Sequence, residues 1–217
     1  MLFMLLFLLG PLALAQVLEA DKEPGRTCNP PPLPAPRTEA ERQERARWAH
    51  YRDKLQGYLQ LLPPTPDARL LMPVQGVRVR QVADTFGAPR EGWRRHEGQD
   101  IFAPRGTPVY SATSGFVWRI GRGERGGLYV FVVGPGGRRY YYAHLERYAP
   151  GLREGQRVSP NTLLGFVGNS GNARSTPPHL HFGVYAGSRR TCDYQVINPL
   201  PLLTDRDWGQ MTPARRR

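Results

Sequence analysis

The chain has 217 residues, 40% of them hydrophobic, enough for one domain with a sizeable core and short extensions. Its formal net charge is +12, and all but two of its 30 basic residues, Lys22 and Lys54, are arginine. Such a balance favours anionic surroundings: nucleic acid, lipid headgroups or an acidic cell-wall polymer. The arginines are scattered among prolines and glycines and form no RNA- or DNA-binding motif, which argues against a nucleic-acid partner.

Residues 1–9 are apolar throughout, and Ala13-Leu14-Ala15 before Gln16 has the form of a small-residue cleavage site. We expect a signal peptide over 1–15 and an exported protein, in the periplasm or cell envelope or secreted. No Lys or Arg opens the stretch, and an uncleaved anchor is the alternative. The apolar run ends before Glu19 and contains Gly10-Pro11, which leaves it short of the roughly 20 residues of a membrane span. Membrane contact is therefore expected only through an uncleaved signal. No cysteine follows the run closely enough for lipid attachment. The two cysteines, Cys28 and Cys192, could pair in an oxidising compartment and add at most about 5 kcal/mol. Two unrelated thiols are the alternative.

Residues 16–37 include Asn29-Pro30-Pro31-Pro32-Leu33-Pro34-Ala35-Pro36 and read as an extended linker. A helix is predicted over 38–63. Thr38-Glu39-Ala40-Glu41 has the form of a capping box, Trp48, Tyr51, Leu55, Tyr58, Leu59 and Leu62 recur at helical spacing, and Pro63-Pro64 ends the run. His50 lies beside that stripe and reads as a solvated helix histidine. Periodicity does not decide whether the helix docks on the rest of the chain, pairs with another chain or acts as a spacer.

From Leu71 the texture changes to short apolar runs separated by glycine and proline, the pattern of an all-β domain. Strands are expected near 77–82, 101–102, 108–111, 115–120 and 128–133, with Gly134-Pro135-Gly136-Gly137 turning the chain into 138–144 as a hairpin. The run 158–164 is followed by Gly165-Phe166-Val167-Gly168 and a polar loop over 169–176. No segment has the length or periodicity of a buried helix, so a doubly wound α/β fold is disfavoured.

The run Pro177-Pro178-His179-Leu180-His181-Phe182-Gly183-Val184-Tyr185 carries the strongest chemical signal. As a strand it sets both imidazoles on one face and Leu180, Phe182 and Val184 on the other. Paired histidines on a rigid strand suit zinc, which takes neutral imidazole nitrogen, and otherwise each needs a buried partner. The spacing of His96 and Asp100 puts an anionic side chain on the same side as an imidazole. Taken alone, a His and an Asp four apart usually mark a solvated surface. His96-Glu97 is not the start of His-Glu-x-x-His, since Asp100 stands where its second histidine belongs. His144, after Tyr140-Tyr141-Tyr142, is by itself a hydrogen-bonded barrel histidine. Together, four of the five histidines and Asp100 fall at strand ends or strand faces of the predicted β domain.

The order His96-x-Gly-x-Asp100, Gly106-Thr107-Pro108-Val109, Gly115-x-Val117, Tyr142-Ala143-His144-Leu145, Gly155-x-x-Val158, Gly165-x-x-Gly168 and His179-Leu180-His181-Phe182 resembles the lysostaphin-like (LytM-like) zinc endopeptidases. The likeness spans 72–203, leaving 204–217 as a basic tail. It implies a mainly β, antiparallel duplicated-hybrid-motif domain with a groove across one sheet. It further implies His96, Asp100 and His181 as ligands of Zn²⁺, His144 and His179 as catalytic histidines, and a peptidoglycan peptide as substrate. Gly183 stands where many relatives have glutamate. Tyrosines 140–142 are candidates for lining the groove, with Tyr141 read as a core residue. The competing reading is a non-catalytic member of the same fold that regulates a cell-wall amidase by contact. Such a protein is expected to have lost metal ligands, and all five positions are kept here.

Overall fold

The structure is a computed structural model that describes residues 35–90, 92–187 and 193–210. The predicted signal peptide, most of the linker, both cysteines and the end of the basic tail lie outside the described residues.

The helix α1 spans Glu39–Leu61. It starts at a complete capping box, in which Glu41 N donates to Thr38 Oγ1 (3.1 Å) and Thr38 N donates to Glu41 Oε2 (3.2 Å), satisfying two of the orphan N–H groups of the first turn. Leu62 is extended and Pro63-Pro64 follow, so the helix cannot continue. None of its residues is fully buried. Among the described residues no helix is long and apolar enough to cross a membrane.

The remaining chain is almost all strand. In order these are β1 (Leu70–Leu71), β2 (Gln99–Phe102), β3 (Pro108–Tyr110), β4 (Gly115–Gly123), β5 (Gly127–Val133), β6 (Arg139–Tyr148), β7 (Arg157–Val158), β8 (Leu163–Val167), β9 (His179–Ala186), β10 (Gln195–Ile197) and β11 (Leu203–Thr204). β1 and β11 form a small parallel pair. The other nine make one antiparallel sheet in the order β10-β9-β6-β5-β4-β7; β2 adds to β9, β8 to β6 and β3 to β8. Gly136 and Gly137 take φ of 66° and 69° in the β5–β6 turn, a region open to glycine at no steric cost.

Period-two alternation sorts the side chains. Tyr140, Tyr142, Val130, Val132, Leu180, Phe182 and Val184 are wholly buried and form the core with Leu70, Met72, Ile101 and Leu164. The alternate residues, His179, His181, Tyr141 and Phe131, stand on the opposite face. The strand expected near 77–82 is absent. Val79–Gln81 is instead a single 3₁₀ turn, closed by Arg78 N donating to Gln81 Oε1 (2.7 Å) and tied down by Val79 N to Asp205 Oδ1 (2.6 Å). Side chains satisfy the backbone there, and Val77, Val79 and Val82 still pack on the core.

Candidate metal centre

β9 presents His179 and His181 on the face away from the core, and its register with β2 sets Asp100 directly opposite His181 and Phe102 opposite His179. On the other side Ala143 of β6 faces His181, small enough to leave the imidazole room. His96 enters from the segment before β2, where Ala88 O accepts from its backbone N–H and Thr85 O accepts from its Nδ1 (2.7 Å). Since a carbonyl only accepts, Nδ1 carries the proton and Nε2 keeps its lone pair. That Nε2 lies 2.8 Å from His181 Nδ1 and 3.1 Å from Asp100 Oδ1, and His181 Nδ1 lies 3.2 Å from the same oxygen.

Two imidazole nitrogens and a carboxylate oxygen thus converge at spacings close to the roughly 3.3 Å edge of a tetrahedron with metal–ligand bonds of about 2.0–2.1 Å. Donor set and spacing fit zinc. Among the described residues these three form the only cluster of His, Cys, Asp and Glu able to hold a metal ion. Burial pushes the His181 pKa down and favours the neutral, ligating ring. Burial also penalises the Asp100 carboxylate, but the adjoining His181 and His96 rings outweigh it and hold the group far below the usual carboxylate range.

His144 reaches this face by a different route. Alternation through Tyr140 and Tyr142 points residue 144 into the core. Between the pairs Val130↔Tyr142 and Leu128↔Leu145, however, β6 carries one extra residue, and His144 takes φ of 61°. Among the described residues it is the one non-glycine with positive φ. The bulge turns its imidazole to the site and returns Leu145 to the core. Its ring then lies 5.0 Å from that of His179 and 5.9 Å from that of His181. Nδ1 donates to Ser170 O (2.8 Å), and burial lowers the pKa to about 4, so the ring is neutral at pH 7 with Nε2 free to accept. His179 is held alike, Nδ1 donating to Pro177 O (2.8 Å), with Nε2 3.7 Å from Asp100 Oδ1. All five residues singled out in the sequence therefore meet at one place, while His50 stays exposed on α1, away from it.

Several supporting residues escaped the sequence reading. A Cβ on Gly98 would lie 2.7 Å from the His181 ring, so glycine at the centre of His96-x-Gly-x-Asp100 is what lets the ligands close up. Gln99, wholly buried, accepts from Thr85 N and Oγ1 (both 2.9 Å) and donates to Asp84 Oδ1 (2.6 Å), fixing the segment that orients His96. Arg90 Nη2 donates to Asp100 Oδ2 (2.7 Å), leaving Oδ1 for the cluster. The spacing of Gly98 within the motif was a signal; Arg90 sits in a loop with no periodicity to mark it. Tyr141 corrects an expectation. It is not a core residue but stands on the site face, stacked on Phe131 (4.4 Å) with its edge to His181 (5.8 Å), because it is out of phase with Tyr140 and Tyr142.

A sheet of this topology with such a cluster on its open face defines a LytM-type peptidase domain. Residues 94–196 match Peptidase family M23, and the chain carries a domain of that family. An L-Ala--D-Glu endopeptidase of Bacillus subtilis (strain 168) is 41% identical over 105 residues, which is 46% of this chain and 32% of the relative. The peptidoglycan DD-endopeptidase ShyC of Vibrio cholerae is 34% identical over 89 residues, 41% of this chain and 20% of the relative. The crystallized catalytic domain of the antimicrobial peptidase lysostaphin from Staphylococcus simulans is 29% identical with a TM-score of 0.47, covering 57% of this chain and 92% of that one. The chain spans a third or less of the length of these two curated relatives.

Proposed function

We propose that the protein is an exported zinc metallo-endopeptidase that hydrolyses peptide cross-links or stem peptides of peptidoglycan. The observation that carries this reading is the convergence of His96 Nε2, Asp100 Oδ1 and His181 Nδ1 with two further imidazoles beside them. The names of the relatives supply the substrate class, and an exported, basic chain suits an anionic wall polymer.

His96, Asp100 and His181 would hold the ion, with Arg90 and Thr85 keeping the carboxylate and the His96 ring in place. Bound there, zinc supplies Lewis acidity towards a peptide carbonyl and lowers the pKa of a coordinated water. His144 and His179 have Nδ1–H committed to carbonyls, so each offers Nε2 to the reacting groups. One Nε2 takes the proton of the attacking water. Once protonated, it donates to the developing oxyanion or to the leaving amine. Phe102, its ring 5.2 Å from that of His179, shields that imidazole on one side. A regulator acting by contact alone has no need of this constellation.

Purified protein should take up about one zinc per chain. His144→Ala should keep the metal while losing turnover at least about 100-fold, and Asp100→Ala should lose both. Unchanged turnover in His144→Ala contradicts the role given to that ring. Zinc uptake with intact sacculi and stimulation of a partner amidase would replace the peptidase reading with the regulatory one.

A further inference from the structure

The face of the sheet that bears the histidines continues well past them. Register places Gly183, Tyr141, Phe131 and Arg119 in one row across β9, β6, β5 and β4, and Tyr185, Arg139, Val133 and Phe116 in the next. Neither row holds an acidic side chain. Tyr141 and Phe131 are partly exposed, and a Cβ on Gly183 would lie 2.6 Å from Tyr185 Oη, so glycine there keeps the floor clear.

At the far edge of this floor stands α1, on the same face as the metal centre. Tyr58 stacks on Phe116 (4.8 Å, 9° between planes), and Trp118 Nε1 donates to Tyr51 O (2.7 Å). Tyr51 Oη and Lys54 Nζ both donate to Glu154 (3.0 and 3.2 Å). The Arg119 guanidinium lies between the rings of Trp48 and Tyr51, 4.5 Å from each, and donates from Nη2 to Tyr129 Oη (2.9 Å). Its buried Nε has no partner among the described residues. Trp48 is 49% exposed, a large aromatic surface left open at the rim.

Resting on the peptidase reading above, we infer that α1 is the second wall of the substrate groove, and that Trp48, Tyr51 and Arg119 form a subsite for a carboxylate-bearing stretch of an extended peptide. Three inter-strand steps separate β9 from β4, about 14 Å, the span of roughly four extended residues. A peptide cut at the metal centre therefore reaches α1 with residues well removed from the scissile bond. The floor between is aromatic, and the wall brings a cation held in place by two rings. α1 lies outside the residues 94–196 matched to the family. It stands at β4 and leaves Tyr141 and Phe131 partly exposed, as a wall does and a plug does not.

The test is isothermal titration of the full-length, zinc-loaded protein with the tetrapeptide L-Ala-D-Glu-L-Lys-D-Ala acetylated at both its amines, which leaves two carboxylates, and with the uncharged analogue in which both carboxylates are also amidated. Trp48→Ala, at an exposed position, and Arg119→Gln should each weaken binding of the acidic peptide about 5- to 20-fold, while the analogue should bind weakly and be indifferent to Arg119→Gln. Equal affinity of wild type and both variants for the acidic peptide overturns the subsite, as does faster sacculus digestion by Trp48→Ala, the behaviour of a displaced plug. If acidic-peptide binding depends on both residues yet wild type leaves sacculi whole, the subsite stands and the peptidase reading falls. Fragment release with no change of binding in either variant is the reverse outcome.

Discussion

At the scale of single residues, His144 holds its place through backbone conformation rather than strand alternation. A left-handed residue with a Cβ costs about 1–2 kcal/mol, and here the hydrogen bonds of Ser170 on both sides of the bulge hold it: Ser170 O accepts from His144 Nδ1, and Ser170 Oγ donates to Leu145 O (2.7 Å). His144→Gly should therefore be more stable than His144→Ala by about 1 kcal/mol in urea unfolding, although both lack turnover. Equal stabilities would show that φ at 144 is unstrained. The same residue sets a pH dependence. Its folded-state pKa of about 4 lies below the unfolded value of about 6.5, so between those limits the unfolded chain binds more protons and stability rises with pH. Zinc-free protein should lose up to about 3 kcal/mol from this group as pH falls from 6.5 to 4. His181 and Asp100, also shifted down, act with the same sign. A urea midpoint that does not move between pH 7 and 4.5 would contradict this.

At the scale of elements, the site is a consequence of register. One-residue slippage of β2 against β9 would face Asp100 with a core side chain instead of His181, and Gly98 allows the approach. Gly98→Ala should push the His181 ring aside and weaken zinc about tenfold or more in a chelator competition, with the sheet intact by circular dichroism. At α1, Thr38→Ala should fray the first turn at a cost of about 1 kcal/mol, visible as faster amide exchange at Glu41 and its neighbours. Much of this was legible in the sequence. Alternation marked β9 and its two faces, the capping box and Pro63-Pro64 bounded α1, and ordered motifs gathered the five site residues. Other features were not, for identifiable reasons. Val77 to Val82 alternates like a strand but is turned by backbone hydrogen bonds donated to the side chains of Gln81 and Asp205, which pattern does not report. The bulge at His144 is invisible to a strict period of two, whereas that same period, applied to Tyr140-Tyr141-Tyr142, sets Tyr141 on the site face where it stands. Where α1 docks depends on Arg119, Phe116 and Glu154, each unremarkable in its own stretch of chain.

At the scale of the whole molecule, the parts fit one task. A sheet with one face closed into a core leaves its other face as a floor; the metal centre occupies one side of it and α1 the other. The basic surface and the aromatic floor suit an extended acidic peptide such as the wall polymer carries. The most direct measurement is mass spectrometry of what zinc-loaded protein releases from purified sacculi, with Asp100→Ala as control. The account predicts soluble peptide fragments with new amino termini at one kind of peptide bond, absent from the control. Sacculi left whole by protein that holds its zinc, or fragments released equally by Asp100→Ala, would contradict it.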